Sequence, residues 1–294
     1  MSRSRSAARV AALLGGDARD LAPVSGGDIC AAYRVVLADG RTVFAKTRED
    51  ASADFFAVEA AGLGWLAAAR GGVAVPAVLA VGAHALVLEW VAPGPPSAAG
   101  ADRLGFELAA THRAGAAAFG ADRPGYIGTL DLPNAVASTA QWPAFYAECR
   151  VLPYLRLAVD RGAMDAAGAR AVQEVVRRLP ELAGPPEPPS RVHGDLWSGN
   201  LLWGEDGLVR LVDPAAHGGH RETDLAMLAL FGAPYLKRIL SAYDEVFALA
   251  TGWRERVPLH QLHPLLVHAG LFGGGYGAQV TRVATGLLSR RLPG

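Results

Sequence analysis

Hydrophobic positions along this chain change their period partway. Residues 29–37 carry apolar side chains in a strand-like run. Asp39-Gly40 has hairpin-turn chemistry, and residues 41–46 return as a second strand, with Val43 and Ala45 on one face. A short helix is expected over 7–14, another over 54–69, and two more strands over 77–81 and 85–91. Pro93-Gly94-Pro95-Pro96 then breaks the pattern. Beyond it the spacing is helical over 104–116, 142–158, 166–182, 222–231, 235–247, 259–271 and 278–291. Short strands over 191–193 and 208–212 interrupt that series. The pattern predicts an α+β chain in two lobes. Residues 1–91 form a small antiparallel β-sheet lobe with a helix, and residues 92–294 a larger, mostly helical lobe.

Composition narrows the class. The 294 residues are 51% hydrophobic, enough for a sizeable core. A formal net charge of zero argues against a general nucleic-acid or membrane-surface binder. No apolar run reaches the roughly 18 residues of a membrane span. The Arg/Ser-rich start lacks a signal-peptide core and reads as a frayed terminus. Cys30 and Cys149 make no disulfide framework, so a cytoplasmic setting is expected. Cys30 follows a glycine-rich stretch and is either a redox-sensitive thiol or an ordinary semi-exposed one.

The chemistry concentrates in His193-Gly-Asp-Leu-Trp-Ser-Gly-Asn200, followed by Leu211-Val-Asp213-Pro214. This spacing matches a kinase catalytic loop and its metal-binding aspartate. Asp195 is the candidate base for an acceptor hydroxyl. Asn200 and Asp213 are candidate Mg²⁺ ligands against the phosphates of ATP. His193 is expected to order the loop. The two-lobed pattern is then that of a protein-kinase-like fold. Gly194 stands where protein kinases usually have Arg, and Asp213-Pro214-Ala215 replaces Asp-Phe-Gly. No Ala-Pro-Glu segment follows, so the acceptor is expected to be a small molecule of the aminoglycoside or choline kinase kind.

The nucleotide half is read from position. Lys46 ends a strand, as the phosphate-contacting lysine of kinases does. Phe55, Glu59, Leu63 and Leu66 share one helix face, and Glu59 in an apolar stripe needs a partner. Lys46 is the expected one. Gly26, Gly27 and Asp28 lie roughly twenty residues before Lys46, where a phosphate-covering loop belongs. By itself a Gly-Gly pair is equally a plain turn. Glu89, Trp90 and Val91 are expected at the adenine hinge.

These motifs, with Gly219-His-Arg-Glu222, Asp224-Leu-Ala-Met227, Ser25-Gly-Gly-Asp-Ile29 and Leu271-Phe-Gly-Gly-Gly-Tyr276, resemble the fructosamine kinase (ketosamine-3-kinase) family over about residues 8–290. The resemblance implies transfer of the ATP γ-phosphoryl to O3 of a ketoamine, free or protein-bound, after which elimination frees the amine. A monomer or weak dimer is expected. Trp197 would offer the sugar an apolar platform or wedge the loop against the helical lobe. His220, Arg221 and Glu222 would contact substrate or anchor their loop. His217-Gly218 departs from the aromatic residues common there, and Asp224 reads as a cap or loop clamp.

Overall fold

The computed structural model describes residues 3–24, 29–134 and 141–289. The first part is a five-stranded antiparallel sheet in the order β1-β2-β3-β5-β4. Its strands are β1 (Ala18–Pro23), β2 (Ala31–Leu37), β3 (Thr42–Thr47), β4 (Val78–Gly82) and β5 (Ala85–Glu89). Period-two alternation sorts the side chains by face. Tyr33, Val35, Leu37, Val43, Ala45 and Val87 pack with Val10 of helix α1 (Arg3–Leu14). Leu86 and Leu88 point the other way, onto Phe55, Phe56 and Leu63 of α2 (Phe55–Ala67). The sheet is thus held between two helices.

β1 is the strand the pattern did not announce. Its side chains are half-buried or exposed and show no alternation. It lies at the sheet edge, where backbone pairing with β2 defines it and Pro23 is tolerated. The strand expected to reach residue 91 ends at Glu89. Beyond it the chain is stapled to the helical part. Gly94 N–H donates to Trp203 O at 2.7 Å, and Glu205 N–H donates to Ala92 O at 3.0 Å. A Cβ on Gly94 would come 2.6 Å from Gly204 O, so that approach requires glycine.

Helix α3 (Ala98–Arg113) starts earlier than expected because Ser97 caps it, accepting the Gly100 N–H at 3.0 Å. A small hairpin follows, β6 (Tyr126–Ile127) and β7 (Leu130–Asp131). The helix expected over 142–158 is spatially continuous but changes register: α4 (Trp142–Phe145), a π-helical stretch (Tyr146–Val151), then α5 (Leu152–Asp160). Pro153 has no N–H to offer Cys149 O, and the Arg150 guanidinium takes that carbonyl at 3.1 Å instead. The segment 166–182 divides at Pro180 into α6 (Ala166–Arg177) and α7 (Leu179–Leu182).

Strand β8 (Ser190–Val192) leads into the loop 193–200, then the hairpin β9 (Leu201–Trp203) and β10 (Val209–Leu211), and β11 (His217–Gly219) returns to pair with β8. Helices α8 (Arg221–Phe231), α9 (Leu236–Val246), α10 (Trp253–Phe272) and α11 (Tyr276–Ser289) complete the chain. α10 runs through Pro258 and Pro264. It stops at Gly273, where left-handed φ at Gly273 and Gly274 turns the chain into α11. The last residues expected in that helix, 290 and 291, lie outside the described residues.

Candidate active site

The loop 193–200 is shaped by close packing. Gly194 has φ +83°, and a Cβ there would sit 2.3 Å from Ala215 O. This is the physical reason that arginine is absent at this position: no side chain fits. Gly199 has a similar role. A Cβ on it would strike the Trp197 indole at 2.2 Å.

Asp224, at the start of α8, clamps the loop from below. Its carboxylate accepts the N–H groups of His193 at 2.7 Å and Gly194 at 2.9 Å. It also meets His112 Nε2 at 3.1 Å, and His112 Nδ1 lies 2.8 Å from the Tyr243 hydroxyl. Although burial alone would raise it, the His112 hydrogen bond helps hold the Asp224 carboxyl below its ordinary range. His193 orders the loop as expected. Its Nε2 donates to Val212 O at 2.9 Å, and its Nδ1 accepts the Asp195 N–H at 3.2 Å. Burial lowers its pKa, so it stays neutral.

Asp195 faces Asn200, whose amide nitrogen donates to Asp195 O at 2.8 Å and Asp195 Oδ2 at 3.2 Å. Both partners are acceptors, which fixes the amide orientation. Burial, with the Asp213 carboxylate adding to it, pushes Asp195 up to about 7. The residue is half-buried and lines a cavity.

Asp213 adopts left-handed φ +56°, an uncommon conformation for a non-glycine residue. That turn aims its carboxylate at Lys46, with Nζ–Oδ1 at 2.7 Å. Lys46 Nζ also donates to both Glu59 oxygens at 2.9 Å. Burial alone would lower the Lys46 pKa, but Asp213 and Glu59 outweigh it and hold the ammonium charged. Lys46 comes from β3, Glu59 from α2 and Asp213 from the segment after β10, so the pairing expected from spacing is present.

These groups share a cavity of about 550 Å³. Lys46, Glu59, Asp195, Asn200 and Asp213 line it, and so does a group of contacting rings, Trp197, Phe231, His268, Phe272 and Tyr276. Trp197 is 39% exposed and packs edge-on to Phe231 at 6.0 Å. It is therefore both an apolar wall of the cavity and a neighbour of α8. Cys30 also lines the cavity, and burial pushes its thiol up to about 11, far from a reactive thiolate.

Other expected residues lie elsewhere. His220, Arg221 and Glu222 are buried and are not among the residues that line this cavity; their contacts are those of a loop anchor, the other role expected of them. Arg221 pairs with both Glu187 oxygens at 2.7 Å, and Arg256 Nε donates to Glu222 at 2.9 Å. His220 caps α8 by accepting the Glu222 N–H at 3.2 Å and packs on Trp142 at 4.9 Å. Ligand atoms of His220, Glu222 and His260 fall within 4.8 Å of one another. Arg256 already engages both Glu222 oxygens, so a guanidinium holds the place a dication would need. Glu89, Trp90 and Val91 do not line the cavity. The Glu89 carboxylate accepts the Ala77 N–H at 3.3 Å, and Trp90 lies under Arg34. Gly26, Gly27 and Asp28 lie outside the described residues.

Tyr126, Phe231, His268, Phe272 and Tyr276 are cavity residues that motif reading missed. Only Leu271-Phe-Gly-Gly-Gly-Tyr276 gave a signal, as family order without an assigned role.

Comparison with known proteins shows the family of the chain. The family model for fructosamine kinase matches residues 5–290. The "Probable ketoamine kinase" of Thermus thermophilus is 37% identical over 254 residues, covering 86% of this chain and 88% of that one. Its namesake from Enterococcus faecium is 34% identical, covering 89% and 92%. A crystal structure of a "putative fructosamine-3-kinase" from Thermobifida fusca superposes with a TM-score of 0.91 at 49% identity, covering 98% of this chain and 100% of that one. An aminoglycoside phosphotransferase, APH(4)-Ia, superposes at 0.63 with 15% identity over 96% of this chain and 97% of that one, a likeness of fold.

Proposed function

This chain belongs to the fructosamine kinase family, and from that premise we propose that it transfers the γ-phosphoryl group of ATP to the O3 hydroxyl of a ketoamine. It is an enzyme of the phosphotransferase class. The observation that carries the finer reading is the convergence of Lys46, Glu59, Asp195, Asn200 and Asp213 on one cavity that also has an aromatic wall.

Residues 1–91 supply the nucleotide end. Lys46, oriented by Glu59, would hold phosphate oxygens. Gly26, Gly27 and Asp28 would cover them, and the backbone at Glu89, Trp90 and Val91 would meet adenine, both assigned from sequence position. The related fold APH(4)-Ia has been crystallised with AMP-PNP and hygromycin B. Residues 92–294 supply the acceptor end. Asn200 turns its NH₂ to Asp195, which leaves its carbonyl oxygen as a hard donor, and the Asp213 carboxylate is a second one. That donor set fits Mg²⁺, which when bound neutralises charge on the phosphates.

Asp195 takes the proton of the attacking hydroxyl as the new O–P bond forms and the bond to the β-phosphate oxygen breaks, with ADP leaving. Trp197 faces the sugar. On a ketoamine, the 3-phosphate then leaves as inorganic phosphate by elimination and water hydrolyses the resulting imine to release the amine, so the outcome is deglycation. Among the described residues no helix is long and apolar enough to cross a membrane. A cytoplasmic monomer or weak dimer acting on free or protein-bound ketoamines completes the reading.

The test is MgATP turnover with fructosyl- and ribulosyl-lysine, in the wild type and in Asp195→Asn. We expect phosphorylation followed by loss of the adduct. In the variant, nucleotide binding should persist while transfer falls by at least the roughly 10²–10⁴-fold that general-base loss costs. Transfer to an aminoglycoside or choline alone would overturn the ketoamine reading. Unchanged turnover in Asp195→Asn would remove that residue from the base role.

A further inference from the structure

We propose that Tyr126 is a positioning residue that fastens helix α2, and with it Glu59, in the orientation that pairs with Lys46. Tyr126 belongs to the β6–β7 hairpin, which follows α3 and is anchored to the helical part: the Tyr154 hydroxyl of α5 donates to Asp131 O at 2.7 Å. From there the hairpin reaches across to the sheet side. The Tyr126 hydroxyl donates to Asp54 Oδ1 at 2.7 Å and accepts from the Ser52 hydroxyl at 2.9 Å. Its ring lies 5.2 Å from Phe55, the first residue of α2.

Asp54 is the residue that precedes α2, a position where an aspartate side chain ordinarily caps the helix. Here it makes no capping hydrogen bond to its own helix. Its oxygen is committed instead to Tyr126, and that hydrogen bond holds the Asp54 carboxyl below its ordinary range. The helix start has therefore given up a local bond for one to the other half of the molecule. Next to it, the hairpin turn wedges between the two sides of the cavity. Gly128 has φ +61°, and a Cβ there would lie 3.1 Å from Leu271 Cδ1 and 3.2 Å from Ile29 Cδ1. Tyr126, Ile127 and Gly128 all line the cavity that holds Glu59.

Lys46 can present its charge to phosphate only while Glu59 holds it, and Glu59 moves with α2. Protein kinases set the corresponding helix with an activation segment. No such segment is evident in this sequence, and the β6–β7 hairpin does that job as a fixed part of the fold. The latch chain is directional: Ser52 to Tyr126 to Asp54. Removing the Tyr126 hydroxyl leaves the ring contact intact and breaks both bonds.

The experiment compares Tyr126→Phe, Asp54→Ala, their double variant and Asp54→Asn, which keeps an acceptor. Two readouts are taken: steady-state kinetics with MgATP and fructosyl-lysine, and amide hydrogen exchange across residues 55–67 without acceptor. Each of the first two variants should lower kcat/KM for ATP by about 3- to 10-fold, the range of one hydrogen bond. The double variant should lose no more than either alone, and Asp54→Asn should recover most of the loss. Exchange in α2 should quicken by a similar factor while the melting temperature stays put. Kinetics and α2 exchange at wild-type values, additive losses, or a lowered melting temperature with unchanged turnover per folded molecule would each overturn the latch. The kinetic arm rests on the ketoamine reading. The exchange arm needs no acceptor, so a failure of that reading is told apart from a failure of the latch.

Discussion

Gly194 shows how one residue can separate this chain from protein kinases by shape alone. The residue lies one step before Asp195, its N–H is held by Asp224, and Ala215 O fills the space a side chain would occupy. Substitution by alanine meets two costs, the left-handed φ and the contact at 2.3 Å. Left-handed strain for a non-glycine residue is of order 1–3 kcal/mol, and the clash adds to it. We therefore expect Gly194→Ala to unfold at lower denaturant and to lose most transfer, because relief of the clash must move either Asp195 or the segment that leads from Asp213. Denaturant titration and turnover measured on one preparation would check this. Wild-type values for both would mean that the loop is looser than its packing indicates.

At the scale of elements, the segment β11–α8 is held by charge. Arg221 pairs with Glu187 and Glu222 with Arg256, and the neutral His260 ring lies 3.3 Å from Glu222, all from distant parts of the chain. Burial alone would raise the Glu222 carboxyl, but the nearby His260 ring and the two Arg256 hydrogen bonds outweigh it and hold it at about 2. Its folded pKa is below its unfolded value, so its contribution is complete above about 4.5 and is lost as pH falls toward 2. Over that interval the loss is on the order of 3 kcal/mol. Buried neutral histidines, His220 and His263 among them, add to acid loss from higher pH. The diagnostic is the difference between wild type and Glu222→Gln. The variant should be less stable at pH 7, where Arg256 loses its counter-charge, and the gap should narrow below pH 4.5 in urea titrations at stepped pH. This anchor also explains what the motif Gly-His-Arg-Glu conceals. Its polarity suggests substrate contact, while its partners Glu187, Arg256 and His260 are too far along the chain for spacing to reveal. Lys46, Glu59, Asp195 and Asp213 were legible because phosphoryl transfer fixes their types and their spacing is local to a strand, a helix face and a loop. β1 and the β6–β7 hairpin were not. A polar edge strand and strands of two residues have no period to read, and only pairing makes them.

The sheet part and the helical part of the molecule meet at several contacts, and one of these is a charged point inside the cavity. Lys46 and Glu59 come from the sheet part and Asp213 from the helical part, and the 2.7 Å Lys46–Asp213 contact crosses between them. A nucleotide bound there would touch both parts at once, so its binding energy would appear as stability of the entire chain. Stabilisation by a ligand present at 100 times its dissociation constant is about 2.7 kcal/mol. At roughly 2–4 °C per kcal/mol for chains of 150–250 residues, saturating MgATP should raise the melting temperature by about 5–10 °C. Asp213→Ala removes a hard donor and the cross-part contact together. We expect it to melt lower without ligand and to lose the part of the ATP shift that depends on Mg²⁺, leaving a smaller shift that EDTA does not change. Thermal melts of both proteins with ATP, with and without EDTA, separate these effects. If the Mg²⁺-dependent shift is the same in the variant, Asp213 is not a metal ligand, and the contact with Lys46 serves only to hold the two parts together.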